Sequence, residues 1–374
     1  MPNTTDFIIV GGGVYGAATA LELAERDASV TLLERDRIAC GASGGLGKRG
    51  VRANGRDPRE LPLMRDAYER WPNLSARLEA DTGYVRTGHL EIYERERDLG
   101  LAQARQRAQA SLGIPTETLN VDAARAIEPS LTTDIRLAVH APLDGVSDHT
   151  ATTRGYAAAA ARAGAEIHEG VEVARLLNDK LGIEQSDGTV LEAKRGVLVL
   201  ANASTPALLE AAFALALPVW SMLPQVMRTD ALSEPIVMGL IGHAHRVLSV
   251  KALPDNAVMV SGGWRGKWND ALGRGEPVAE QVEGNWAEAL AVLPALAAHE
   301  ITEVSTERLE TCSLDGVPII DRVEGHEDVI YACGWCGHGW AIAPSVAPLL
   351  AAWALDGGKM PDLLAPFSNA RFRG

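Results

Sequence analysis

Residues 6–16, Asp6-Phe7-Ile8-Ile9-Val10-Gly11-Gly12-Gly13-Val14-Tyr15-Gly16, decide the fold. The apolar run at 6–10 reads as a short buried strand, and the glycines follow at once. Residues 17–26 then place Ala17, Ala20, Leu21 and Ala24 on one face at helical spacing. Residues 30–33 form a second apolar run, rich in strand formers, that ends in Glu34. Strand, Gly-x-Gly-x-x-Gly turn, helix and acid-ended strand within about 30 residues make a β-α-β unit with a right-handed crossover. Gly11 permits the tight turn, Gly13 lets a pyrophosphate approach the backbone, and Gly16 lets the helix pack close to the sheet. The free N–H groups and positive end of the helix favour phosphates. Glu34 can accept hydrogen bonds from both ribose hydroxyls, which a 2′-phosphate would disrupt, so FAD or NAD is favoured over NADP. The unit alone does not separate those two.

Outward from this unit, the 374 residues are long enough for two domains, and 47% apolar content supports a sizeable core. A formal net charge of -14 argues against nucleic acid and anionic membrane surfaces as partners. It leaves room for a small anionic substrate, because a local basic cluster can sit inside an acidic protein. Four cysteines do not make a disulfide scaffold. The opening apolar run is too short for a signal peptide, and the longest apolar stretch, 340–355, falls short of a membrane span. A cytoplasmic protein, monomer or homodimer, is expected.

Further along, residues 61–81 and 95–112 read as helices and 85–93 as a strand. Residues 166–177, 182–185 and 190–191 read as a strand meander, 197–201 as a separate buried run, and 246–251 with 257–261 as a hairpin. A late strand at 329–332 precedes a helix from about Ala341. Two kinds of element interleave without linkers, which suggests domains built from discontinuous segments. Cys333 and Cys336 form a C-x-x-C outside the helix-start setting of redox sites, and with His338 they lack a fourth zinc ligand. His243 and His245 share a strand face, but no carboxylate accompanies them in sequence. No metal is expected.

Residues 6–34 resemble the opening of the D-amino-acid oxidase superfamily of flavoproteins, in the branch containing glycine oxidase and monomeric sarcosine oxidase. The likeness extends over nearly the whole chain. It runs through Gly41-Ala42-Ser43-Gly44, Gly50-Val51-Arg52, Thr87-Gly88-His89-Leu90, Glu128-Pro129-Ser130-Leu131, Asp144-Gly145, 171–173 and 199–204. Its most specific piece is Ser313-Leu314-Asp315-Gly316-Val317-Pro318-Ile319-Ile320 followed by Gly334-Trp335-Cys336-Gly337-His338-Gly339-Trp340. The chain departs from the pattern at Asp27, Asn202 and Ala203.

The resemblance implies an α/β (α+β) protein: a Rossmann-like FAD-binding domain at 1–84, 142–215 and 306–374, and a discontinuous substrate domain at 85–141 and 216–305 on a mostly antiparallel sheet. It implies that FAD contacts Gly11, Gly13, Val14, Tyr15, Gly16, Glu34, Arg35, Ser43, Lys48, Val173, Ala201, Gly337, His338, Gly339 and Trp340. Gly337 and Gly339 let the backbone approach a flat ring, and the helix that follows stabilises negative charge on the reduced ring. The flavin-linking cysteine of the sarcosine branch corresponds to Arg308, with Cys312 four residues off, so FAD is expected to be non-covalent. The implied reaction is oxidation of a C–N bond in an amine or amino acid, with O2 as acceptor, achieved mainly by orientation over the ring. The alternatives are a dehydrogenase subunit that passes electrons to a partner, and an NAD-dependent dehydrogenase without flavin.

The family's two usual carboxylate anchors correspond here to Glu310 and Ala341. Arg49, Arg52 and Lys251 remain as basic candidates for holding the substrate, with Trp335 beside them. Arg52 matches a substrate-binding arginine of the sarcosine branch. Residues 246–251 and 261–266 also resemble opine oxidases, which points to an N-substituted glycine or similar secondary amino acid. Lys267 resembles the lysine that activates oxygen in the sarcosine branch.

Overall fold

A computed structural model describes residues 4–45 and 47–373; Met1 to Asn3, Leu46 and Gly374, which fall inside the expected domain bounds, lie outside the described residues. The opening unit folds as its pattern dictates. Thr4–Val10 and Val30–Glu34 pair in parallel, with the Val14–Ala24 helix between them. The helix begins three residues earlier than its apolar spacing suggested, because Gly13 already serves as its N-cap.

The first sheet runs Ile319–Val323, His326–Cys333, Val190–Val199, Thr4–Val10, Val30–Glu34, Glu166–Glu169, parallel throughout except at the Ile319–Val323 edge. Two expectations are corrected here. Residues 166–177 are not one meander strand. Gly170, at φ +72°, breaks them, and Glu166–Glu169 pairs in parallel with Val30–Glu34. Residues 190–191 and 197–201 are not separate runs: Val190–Val199 is one strand that ends the Val173–Leu176, Gly182–Gln185 meander and then enters the sheet core.

The second sheet has the order Ile301–Ser305, Val226–Thr229, Val258–Ser261, Ser249–Ala252, Leu240–His243, His89–Tyr93, Leu137–Ala141, Glu117–Leu119. Only Leu240–His243 against His89–Tyr93 is parallel. Each sheet has its own apolar core. One packs Ile9, Leu32 and Leu198 against Trp71, Trp340 and Leu350, and the other gathers Leu90, Ile241, Val250 and Val292. The strands of the first sheet lie within 1–84, 142–215 and 306–374, and those of the second within 85–141 and 216–305. We propose these segments as the two domains. No described helix is long and apolar enough to cross a membrane.

Candidate active site

The glycine turn sits at the carboxyl edge of the first sheet, where open α/β sheets take their ligands. A Cβ on Gly16 would lie 1.9 Å from the Gly11 carbonyl oxygen, so helix and strand meet only because that side chain is missing. A Cβ on Gly11 would lie 2.7 Å from the Leu200 carbonyl oxygen and 2.9 Å from Ala201 Cα. Gly13 is different: nothing lies within 4 Å of where its Cβ would be, and the residue is exposed at the helix start. No side chain caps the helix there. Its first N–H groups are therefore left without a side-chain partner, as an anion site needs.

Glu34 is buried at the end of its strand. Gly12 N–H donates to its Oε2 at 2.6 Å, and Asp36 N–H donates to Oε1 at 2.9 Å. Val171 N–H donates to the Glu34 carbonyl, and Arg35 reaches Ser204 Oγ at 3.5 Å. Glu34, Arg35 and Ala201 thus gather at one edge, with half-buried Val173 two residues beyond Val171.

The loop at residues 334–339 is held from below. Arg56 is the clamp. It donates to the Arg52 carbonyl at 2.5 Å, to Glu60 at 2.9 Å and to the His338 carbonyl. Arg56 and Glu60 are almost completely buried as a pair. The His338 ring is taken up too: Nδ1 lies 3.3 Å from Glu60, and Nε2 lies 3.2 Å from the Gly316 carbonyl. Burial pushes the Glu60 carboxyl up, but Arg56 and His338 outweigh it and hold it below its usual range. Trp71 Nε1–H donates to the Ala341 carbonyl, fixing the turn into the final helix. Half-buried Lys48 pairs with Asp148 at the start of its strand, and its carbonyl accepts from Arg49 at 3.2 Å.

Beside this loop stands a cation cluster. Arg49 and Arg52 lie on or just after the Lys48–Val51 strand, and Lys251 on Ser249–Ala252 faces both. No carboxylate forms a salt bridge to any of the three among the described residues. Arg49 is already occupied: it donates to the carbonyls of Ser43 at 3.1 Å, Gly44 at 2.8 Å and Gly45, holding that loop in shape. Arg52 uses one nitrogen on the Asn54 carbonyl at 2.6 Å. Asp144, fully buried, fixes this turn by accepting from the N–H groups of Ala53 and Asn54 and from Tyr68. Burial, then Arg49 and Arg52, pull the Lys251 ammonium down to about 7.

Across the loop lies Glu310. Ser43 Oγ–H donates to it at 2.5 Å and the Gly337 N–H donates as well, while burial pushes its carboxyl up. Glu310 Oε1 and Asn202 Oδ1 are buried without a partner.

A profile of the family described as FAD dependent oxidoreductase matches residues 6–353. The chain belongs to that family. The sarcosine oxidase subunit beta of Rhizobium meliloti (strain 1021) is 28% identical over 91% of this chain and 82% of its own. Among solved structures, L-proline dehydrogenase from P. horikoshii superposes with a TM-score of 0.90 at 22% identity, covering 100% of this chain and 98% of that one. Glycine oxidase from Geobacillus kaustophilus gives 0.87 at 24% identity, covering 100% of both.

As a member of this family the protein is FAD-dependent, and the residues present fit that cofactor. The open helix start at Gly13 suits a pyrophosphate, Glu34 suits the ribose, and the orphaned Glu310 Oε1 and Asn202 Oδ1 border the Ser43 and Gly337 loops.

Three placements differ from expectation. Trp335, expected beside the substrate, is buried face to face on Tyr15, with ring centroids 3.7 Å apart and planes 10° apart. Tyr15, expected to contact FAD, sends its hydroxyl to the Gly339 carbonyl, so its side chain belongs to the core and only its backbone belongs to the helix start. Lys267 lies exposed on the Lys267–Asn269, Arg274–Glu276 ribbon, and no described contact joins it to the cation cluster.

The histidine pair gains the carboxylate that its own segment lacks. Glu94, His243 and His245 bring ligand-type atoms within 4.8 Å of one another. Arg246 already donates to both Glu94 oxygens, at 2.9 to 3.1 Å. The His243 Nδ1 accepts N–H groups from His245 and Arg246, which leaves the ring proton on Nε2 where a metal would have to bind. These contacts make the cluster an ion-pair network.

Proposed function

We propose that the protein oxidises the C–N bond of an amino acid or secondary amine, an N-substituted glycine or related secondary amino acid, to an imine that water converts to an oxo-acid and an amine. Bound FAD supplies the hydride acceptor. The observation that carries this reading is the cation pair Arg52 and Lys251, which no carboxylate salt-bridges among the described residues, beside Arg49 and the Ser43–Gly45 loop it holds. A carboxylate held there is fixed in position relative to the loops that border the cofactor, and such orientation supplies most of the catalysis. Arg49 supports the site by shaping the loop and not by gripping substrate. O2 is the proposed acceptor, and Lys267 would assist it only by reaching in from its exposed ribbon.

The test is turnover with glycine, sarcosine, D-amino acids and N-carboxymethyl amines, with peroxide measured alongside. The N-substituted substrates are expected to give the highest kcat/KM. Turnover confined to simple D-amino acids would sink the reading. A second reading rests on the relatives named as a beta subunit: electrons pass to a partner subunit. Substrate-dependent flavin bleaching without peroxide from the isolated chain would favour it.

FAD is proposed to be non-covalent, since Arg308 stands at the linking position and Cys312 is engaged elsewhere. Acid precipitation is expected to leave the yellow colour in the supernatant; colour in the pellet would refute it.

A further inference from the structure

The cysteine spacing of 333 and 336 suggests the wrong pair. Cys333 ends its strand wholly buried, and burial pushes its thiol up to about 12. Cys336 belongs with Cys312, twenty-four positions away. Cys312 stands opposite Trp335 in an isolated antiparallel bridge, and the Cys336 N–H donates to the Thr311 carbonyl at 3.1 Å. The two thiols interact there, and the Cys336 S–H donates to the Gly334 carbonyl at 3.2 Å. Ser313 Oγ lies 3.7 Å from the same sulfur.

The two cysteines differ in a useful way. Cys312 is buried, and Cys336 is partly exposed at the open end of the loop. The hydrogen bond from Cys312, then that from Ser313, bring the Cys336 thiol down to about 6 against the opposing effect of burial. It is the nucleophilic member at neutral pH, and the second thiol stands on the segment its own backbone bonds to. Cys336 also holds a left-handed backbone, φ 55°, which a non-glycine residue keeps only where its surroundings impose it.

We infer that Cys336 and Cys312 form a reversible disulfide site for small disulfide oxidants of the glutathione class, with Cys336 as attacking thiol and Cys312 as resolving thiol. The Cys336 thiolate attacks one sulfur of the oxidant, forms a mixed disulfide and expels one thiolate. Cys312 then loses its proton, attacks the Cys336 sulfur and expels the second. Two protein thiols are oxidised and one disulfide is reduced to two thiols. The product staples the Glu310–Ser313 strand to the 334–339 loop, the two segments that carry Glu310 and Gly337.

The test uses the holoenzyme equilibrated with oxidised glutathione, alkylated and digested with trypsin. Cys312 falls in residues 309–322, while Cys333 and Cys336 both fall in 323–359. Wild type is expected to give a cross-link between these peptides that dithiothreitol reverses and that Cys333→Ser retains. Cys312→Ser, still flavin-loaded, is expected to accumulate a glutathione adduct on Cys336. No cross-link in wild type, or an internal Cys333–Cys336 bond in 323–359, overturns the proposal. So does a cross-link that survives in Cys336→Ser.

Discussion

Arg56→Ala is expected to lower the unfolding free energy by about 3–5 kcal/mol, the usual cost of removing one partner of a buried ion pair. The reason lies in what stays behind. Glu60 is fully buried, and its Oε2 already lacks a partner. Without Arg56 its charge keeps only His338 in contact and Arg52 at longer range, and both the His338 and Arg52 carbonyls lose their donor. The pH dependence gives a second readout. In wild type the Glu60 carboxyl is held low, so its pairing contributes stability above the unfolded carboxylate range and loses it as pH falls through the folded value. In Arg56→Ala burial dominates, the carboxyl rises above its unfolded value, and protonation relieves the strain. The gap between variant and wild type should therefore shrink as pH falls from 7 towards 4. Arg56→Met with Glu60→Met should be less destabilised than Arg56→Ala, because no charge is left buried. Urea unfolding measures all three; a loss under about 1 kcal/mol for Arg56→Ala would show that the pair carries no such weight.

Arg52→Ala is expected to raise KM for a carboxylate-bearing substrate on the order of 10- to 100-fold, from a lost charged hydrogen bond of about 1.5–3 kcal/mol. An amine without a carboxylate should be nearly unaffected. Lys251 adds the pH signature. Its ammonium, lowered to about 7, loses its charge as pH rises through that value. KM in wild type should therefore climb between pH 6 and 8. Lys251→Met should show a KM that is high and flat across that range. A KM within twofold of wild type for Arg52→Ala, or a rise with pH that persists in Lys251→Met, would remove these two residues from the substrate site.

What was legible in the sequence was local. The β-α-β unit could be read because strand, glycines, helix and Glu34 lie within one short window, and the Gly16 contact with Gly11 is made inside that unit. What was not legible depended on chain segments far apart. Nothing near His243 announces Glu94, because the two meet only where their strands pair in parallel. Trp335 looks like a pocket aromatic in sequence, yet Tyr15 claims it from the other end of the chain. Residues 166–169 alternate as any strand does, and alternation does not say whether the partner is parallel. Arg49, Arg52 and Lys251 could be named as candidates. That Arg49 is spent on four carbonyls is a fact of tertiary packing.

The Tyr15 hydroxyl and the Gly339 carbonyl are 324 positions apart. During synthesis the N-terminal strand, helix and Val30–Glu34 strand emerge first, but the parallel neighbour on the other side of Thr4–Val10 comes only with Val190–Val199, and the next only with His326–Cys333. At typical elongation rates of about 5–20 residues per second, the early segments wait for many seconds with their sheet edge unpaired. The cofactor cradle is therefore a late product of translation, closed after nearly all of the chain has left the ribosome. Nascent chains stalled before residue 326 should bind no FAD, however complete their glycine turn.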